Sequence, residues 1–265
     1  MNWFEPVWLY CERGTSAEIL AEPVNALSTL SIVIAGLAGL WMYKKLPIGQ
    51  RSADHVLLIA LALIAGLGGL AFHLFAAQWS EMAHLLPFLF FVMVYLAFAL
   101  NRFLQVPPGA TSLATGFFVL VTMACVTMTC AFLDGALQPA WSIGGQAGDL
   151  KAIGATSCLN GSFAYLPALM VLFALALWTR KRRHKAAKSL FLAAFLLLGA
   201  IVFHTIDHLS CSLTLVSDYK TGTHYLWHLL VGAFVFILLR TTMRHQDKRL
   251  VQEIIPPGAS RSKID

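Results

Sequence analysis

Seven stretches of largely apolar sequence run through the chain, at about 24–43, 54–76, 83–101, 111–133, 160–179, 187–208 and 223–240. Each approaches the roughly 20 residues that a helix needs to cross a bilayer. Polar breaks separate them. KKLPIGQRSAD, NRFLQVPPG and TRKRRHKAAK are three of these, and the first two contain proline. The longest break runs from Asp134 to Ser157 and is rich in glycine. The pattern predicts an all-α integral membrane bundle of seven transmembrane helices. It forms one domain over residues 1–245, followed by a tail over 246–265.

Composition agrees with this reading. The chain is 58% hydrophobic and 12% charged, where a soluble domain carries about 25% charged residues. The few charges then report topology. Of the 19 Lys and Arg residues, only Arg13, Lys151 and Lys220 fall on one side of the expected membrane, and the other 16 fall on the opposite side. The positive-inside rule makes the basic side cytoplasmic, with the N-terminus outside and the C-terminal tail inside. The net charge of +6 is therefore a topology signal, and no nucleic-acid partner is expected. The opening MNWFEPVWLYCERG lacks a basic flank and carries Glu5 and Glu12. It is not expected to be a cleavable signal, so insertion would begin at the first span.

Ionisable residues inside a membrane are costly and default to functional suspects. His73 lies near the outer end of the second span, in GGLAFHLF. His84 opens the third, in EMAHLLP. His204, Asp207 and His208 close the sixth, in FHTIDHL, and His224 and His228 open the seventh, in GTHYLWHLL. Glu22 and Asn25 stand at the outer entrance of the first. Six of the nine histidines thus share one depth. His224 and His228 are four apart on a helix, so their rings face one way. With His73 from a neighbouring helix they would surround a metal with three nitrogens, leaving a fourth position open, which is the layout of catalytic zinc. The alternative is that these histidines are hydrogen-bonded glue between helices.

The motifs resemble those of alkaline ceramidases. Cys11-Glu12 followed by A-E-P-x-N-x-x-S (Ala21 to Ser28), Phe72-His73, and H-x-L-W-H (His224 to His228) carry the likeness. N-G-S-x-x-Y-L-P (Asn160 to Pro167) and T-I-D (Thr205 to Asp207) suggest a bacterial branch. The likeness covers nearly the whole chain. It implies a seven-helix membrane hydrolase, distantly related to adiponectin-receptor-like proteins, with zinc on His73, His224 and His228. The implied reaction is hydrolysis of the amide of ceramide-like N-acyl sphingolipids, releasing a fatty acid and a sphingoid base. Zinc can acidify a bound water and polarise the amide carbonyl. The implied setting is a bacterial inner membrane, with the metal toward the periplasm and a bilayer lipid as substrate.

Departures from that pattern sharpen the expectation. Gly69 stands where the family has a serine, and His84 where it has a catalytic aspartate. His84 could serve as general base, become a fourth ligand, or stand by while Asp207 acts. Asp207 itself could orient a metal-bound histidine, act on the bound water, or bind Arg13 or a loop backbone. His204 and His208 are expected to pack or to line the pocket. The eukaryotic members also bind Ca2+. Glu12 and Glu22 match two of its ligands, whereas Leu9 and Gly14 replace an aspartate and an asparagine; the two glutamates would instead tie the N-terminal segment to the first helix. The sequon at Asn160 reads as incidental. Cys125 and Cys130 are expected free within a span. Cys11, Cys158 and Cys211 fall outside, where oxidation is permitted, and Cys11 with Cys211 would staple the N-terminal segment over the pocket. The resulting expectation is a zinc amidase, altered or impaired at Gly69 and His84. Its rivals are a non-enzymatic zinc protein of structural or signalling role, and a haem carrier.

Overall fold

The computed structural model describes residues 3–7, 9–14, 16–133, 136–141, 156–216 and 219–245 of the chain. Seven helical spans among them are long and apolar enough to cross a membrane. Their α-helices are α1 (Pro23–Lys45), α2 (Ala53–Phe75), α3 (Gln78–Phe98), α4 (Pro108–Val126), α5 (Leu166–Lys181), α6 (Ala187–Thr205) and α7 (His224–Arg244), the third span running on to Phe103 and the fifth beginning at Cys158. The chain is thus an all-α, multi-pass membrane bundle, as the hydrophobic pattern predicts.

Local chemistry sets many of the ends. Pro23 and Pro108 open α1 and α4, where the missing N–H costs nothing and the fixed φ suits a first turn. Lys44 and Lys45 close α1, Arg180 and Lys181 close α5, and Arg244 closes α7, each set against the negative end of its helix dipole. These basic ends share one end of the bundle. His73, in the last turn of α2, and His224, the first residue of α7, lie at the other.

Five boundaries differ from the sequence reading. The fourth span ends at Val126, not at residue 133, and the chain turns into strand β1 (Met128–Leu133). Nineteen helical residues already cover about 28 Å, close to the hydrocarbon thickness. The β-branched and aromatic residues that follow suit a strand. β1 pairs antiparallel with β2 (Ala136–Trp141), from Met128↔Trp141 to Leu133↔Ala136, and on its other edge with β3 (Thr156–Ser157). Part of the expected glycine-rich loop is therefore a small sheet, and its remainder lies outside the described residues, as does the expected tail. The fifth span is entered through tight turns over Cys158–Tyr165, with Leu159, Asn160 and Gly161 in the left-handed region. The third starts at Gln78, which puts His84 in its second turn, and a π-turn over Ala99–Phe103 extends it. The sixth stops at Thr205, and a separate turn, Asp207–Ser210, follows. The seventh runs on to Arg244.

α1 packs between α2 and α7, α3 lies on α2, and α6 joins α7 to α5. α7 is the most buried of the spans and α4 the least. A short two-stranded ribbon, β4 (Leu215–Val216) with β5 (Tyr219–Lys220), precedes α7. Where α2 meets α3, a side chain at Gly68 would run into the Ala83 carbonyl. Only glycine allows this approach, and small residues do the same work at other membrane helix contacts. It brings the segment carrying His84 directly against α2.

Candidate metal centre

The N-terminal segment is laid over the end of the bundle that holds the histidines. Val7 N–H donates to the Ala76 carbonyl (2.7 Å) and Trp79 N–H to the Trp3 carbonyl (3.1 Å). A disulfide joins Cys11 to Cys211, one of the pairings that the sequence left open. Cys158 is also disulfide-bonded and Cys125 is free. The side chain of Cys130 lies outside the described residues.

Beneath this cover, His73, His224 and His228 each offer one nitrogen, and the three nitrogens lie within 4.8 Å of one another. All three residues are buried. His73 Nε2 faces His228 Nε2 at 3.1 Å. The neighbours of the two rings fix their tautomers. His73 Nδ1 is 2.6 Å from Glu22 Oε2. Burial alone would raise the Glu22 pKa, but hydrogen bonds and charge from His73 and Arg13 outweigh it and hold the carboxyl below its usual value. An ionised carboxylate only accepts, so His73 Nδ1 carries the proton. His228 Nδ1 is 2.8 Å from Ser28 Oγ, whose own proton goes to the Asn25 carbonyl at 2.8 Å. Ser28 must then accept, and His228 Nδ1 is protonated as well.

With both Nδ1 atoms protonated, the two Nε2 atoms converge on one point, the geometry of two ligands on a shared cation or of two nitrogens sharing one proton. Two nitrogens bound to one tetrahedral metal at about 2.0–2.1 Å sit about 3.3 Å apart, close to the observed separation. His224 points the same way: among the described residues neither ring nitrogen has a hydrogen-bond partner, although the residue is 1% exposed. A buried imidazole without partners is costly, and a metal would satisfy it. Its ring is held by stacking on Tyr10, with centroids 3.6 Å apart and planes at 18°. The residues present thus fit a metal ion, on the strength of three converging nitrogens and a buried His224 ring without a hydrogen-bond partner among the described residues.

Asp207 is fully buried, and its carboxylate binds backbone. Oδ1 accepts from Thr223 N–H (2.7 Å) and His224 N–H (2.9 Å), and Oδ2 accepts from Cys11 N–H (2.8 Å). Of the roles open to it in sequence, loop-backbone binding is the one observed. It caps the start of α7 and so fixes His224 from the main chain. Gly222, with φ +65°, makes room for it, because a Cβ there would strike Asp207 Oδ1.

His84 lies beside the triad and outside it. Its Nδ1 donates to the Ala65 carbonyl (3.2 Å), and its ring centroid is 6.4 Å from that of His228. Nε2 is then its acceptor nitrogen. Gly69 faces this ring directly. A Cβ at Gly69 would come within 2.5 Å of Thr29 Cγ2 and 2.8 Å of His84 Nδ1. The two departures noted in the sequence are thus one steric exchange, an imidazole occupying space that a side chain at position 69 would need.

The two carboxylates with a possible calcium role are engaged by protein donors. Glu12 accepts from Val24 N–H (2.7 Å) and Asn25 N–H (2.8 Å), at the start of α1. Glu22 holds Arg13, Asn25 and His73. Tying the N-terminal segment to the first helix is therefore what Glu12 does. His204 is buried, with Nδ1 2.9 Å from Ser162 Oγ, whereas His208 is exposed.

A cavity of about 330 Å³ opens between α3, α4 and the turns before α5. Its walls are mainly apolar, from residues such as Leu85, Leu89, Phe118 and Ala164, with Glu81 and Tyr165 among them. Tyr10 and His204 also line it, and both rings contact His224. The cavity and the triad are therefore separated by a single layer of side chains.

Ser28, Tyr10 and Arg13 are contributors that the sequence reading did not assign. Ser28 ends a motif already singled out, and Arg13 is one of only three basic residues on its side. Those were the available signals. No protein-family description matches the chain, and no curated protein matches it.

Proposed function

We propose that this chain is a zinc-dependent amide hydrolase of ceramide-like N-acyl lipids, as its resemblance to alkaline ceramidases implies. The observation that carries the reading is the convergence of His73 Nε2 and His228 Nε2 at 3.1 Å beside the His224 ring, which has no hydrogen-bond partner among the described residues. Three neutral imidazoles suit zinc among the common ions. Zinc held by His73, His224 and His228 would supply Lewis acidity toward an amide carbonyl and acidify a water.

The chain's own residues supply the rest. Glu22 and Ser28 hold the His73 and His228 rings in the ligating tautomer. Asp207 fixes the first turn of α7. Tyr10 covers His224 and excludes water from that side. The apolar cavity offers space for a hydrocarbon chain within the bilayer's own depth, and His84 Nε2 provides an acceptor beside the triad. That His84 is an imidazole packed against Gly69, in place of the family's carboxylate and serine, also favours a second reading, a zinc protein without hydrolytic activity. Calcium is not needed for either.

The deciding measurement is turnover by the purified protein across a panel of N-acyl lipids, alongside zinc content. Ceramide hydrolysis with about one zinc per chain supports the amidase. Full zinc with no turnover of any N-acyl lipid supports the second reading. The asymmetry of basic residues supports a site on the non-cytoplasmic side, which in the bacterial setting implied by the resemblance is the periplasm. A single cysteine placed near residue 183 should be labelled only from the cytoplasmic side of spheroplasts or inverted vesicles. Labelling from the opposite side would put the chemistry at the cytoplasmic face.

A further inference from the structure

We infer that Arg13 is a positioning residue of the metal centre, an internal cation that holds His73 by its main chain and by its ring together. The inference rests on the metal reading above. Arg13 is 4% exposed, and a guanidinium withdrawn from water persists only when paired and hydrogen-bonded throughout. Here the donors are well used. Nε donates to Glu22 Oε1 (2.5 Å), Nη1 to the Ser16 and Glu18 carbonyls (3.2 and 2.9 Å), and Nη2 to the His73 carbonyl (2.7 Å), with the Leu74 carbonyl at 3.5 Å.

Two of these partners meet in one residue. The His73 and Leu74 carbonyls belong to the last turn of α2, which ends at Phe75. Carbonyls there have no partner within the helix and carry the negative end of its dipole. Arg13 caps them from a segment 60 positions away in sequence. The same guanidinium binds one oxygen of Glu22, while the other oxygen takes the His73 ring proton at 2.6 Å. Backbone and imidazole of one metal ligand are thus joined through a single planar cation. The fork geometry is essential, since an ammonium at this place lacks the fixed set of directions needed to reach Glu22, two loop carbonyls and the helix end together. A purely stabilising salt bridge would need only the Glu22 contact.

The test is Arg13→Lys in the full-length protein, which keeps the charge and removes the fork. Zinc affinity would be measured by chelator competition, Co2+-loaded protein by visible absorption, and fold stability by chemical denaturation of the metal-free form. The expected result is a loss of zinc affinity of about tenfold or more, in the range found for residues that orient metal ligands, with a shifted cobalt spectrum. Arg13→Ala should lose more, with part of the affinity and the original spectrum regained on adding millimolar ethylguanidinium. If Arg13→Lys lowers stability while affinity stays within about twofold and the cobalt bands are unmoved, Arg13 is only a scaffold contact and the inference is overturned. If the wild-type chain binds neither zinc nor cobalt, the metal reading fails, and this inference fails with it. The wild-type control keeps the two failures distinct.

Discussion

Replacing His224 or His228 with alanine is expected to bring the metal content of the purified protein from about one ion per chain to below about a tenth, because two imidazoles no longer make a closed site for a structural or catalytic ion. The two variants should differ in what they leave behind. His228→Ala removes a fully buried ring together with its hydrogen bond to Ser28 Oγ. Its metal-free folded state should be less stable than the metal-free wild type by about 3–5 kcal/mol, cavity and lost hydrogen bond together. His224→Ala removes an imidazole with no hydrogen bonds to lose, yet it also empties the space under Tyr10. A cavity there should cost roughly 2–4 kcal/mol relative to the metal-free wild type. Added zinc should stabilise the wild type and neither variant, since a ligand stabilises only what it binds. Elemental analysis with denaturation curves, taken with and without zinc, checks both statements. Full occupancy in both variants would remove these residues from the site.

Much of this arrangement was legible before any coordinates. Seven spans follow from hydropathy, because a helix in lipid must satisfy its own backbone and expose apolar side chains. The cluster of His73, His224 and His228 follows from depth and from the four-residue spacing on α7. What the sequence could not give was which polar groups meet across long separations. Asp207 reads as a candidate acid until the break at Ile206 turns its carboxylate toward the amides of Thr223 and His224. That break depends on tertiary contacts and leaves no periodic trace. Residues 128–133 read as the end of a span because apolar strand and helix segments of that length are alike in composition. Arg13 reads as a topology charge and as an alternative partner for Asp207, whereas its contact with the end of α2 joins residues distant in sequence and adjacent in space. Gly69 and His84 read together as departures from one pattern, but their steric exchange shows only where α2 meets α3.

That last pair makes the strongest prediction about chemistry. A Cβ at position 69 would meet both Thr29 and the His84 ring, so Gly69→Ser alone should overpack the contact and destabilise by about 1–3 kcal/mol. His84→Asp shortens the facing side chain and withdraws the ring from that space. In the His84→Asp background, adding Gly69→Ser should therefore cost less, since only the Thr29 contact remains, giving a coupling of about 0.5–3 kcal/mol between two sites in contact. Activity should follow the chemistry of the new groups. On the proposed reading, His84→Asp restores a carboxylate beside the triad, and amide hydrolysis should rise by at least about tenfold, within the usual contribution of a positioned general base. The double variant should be at least as active and should recover part of the stability lost in Gly69→Ser. Additive stabilities would mean that the two positions do not share the space assigned to them. A wild type that already turns over N-acyl lipids well, and loses that activity on His84→Asp, would identify the imidazole as the working base, since an unperturbed imidazole pKa near about 6.5 suits proton transfer at neutral pH. The tenfold rise would then be refuted, while the steric exchange between Gly69 and His84 would stand on the stability data alone.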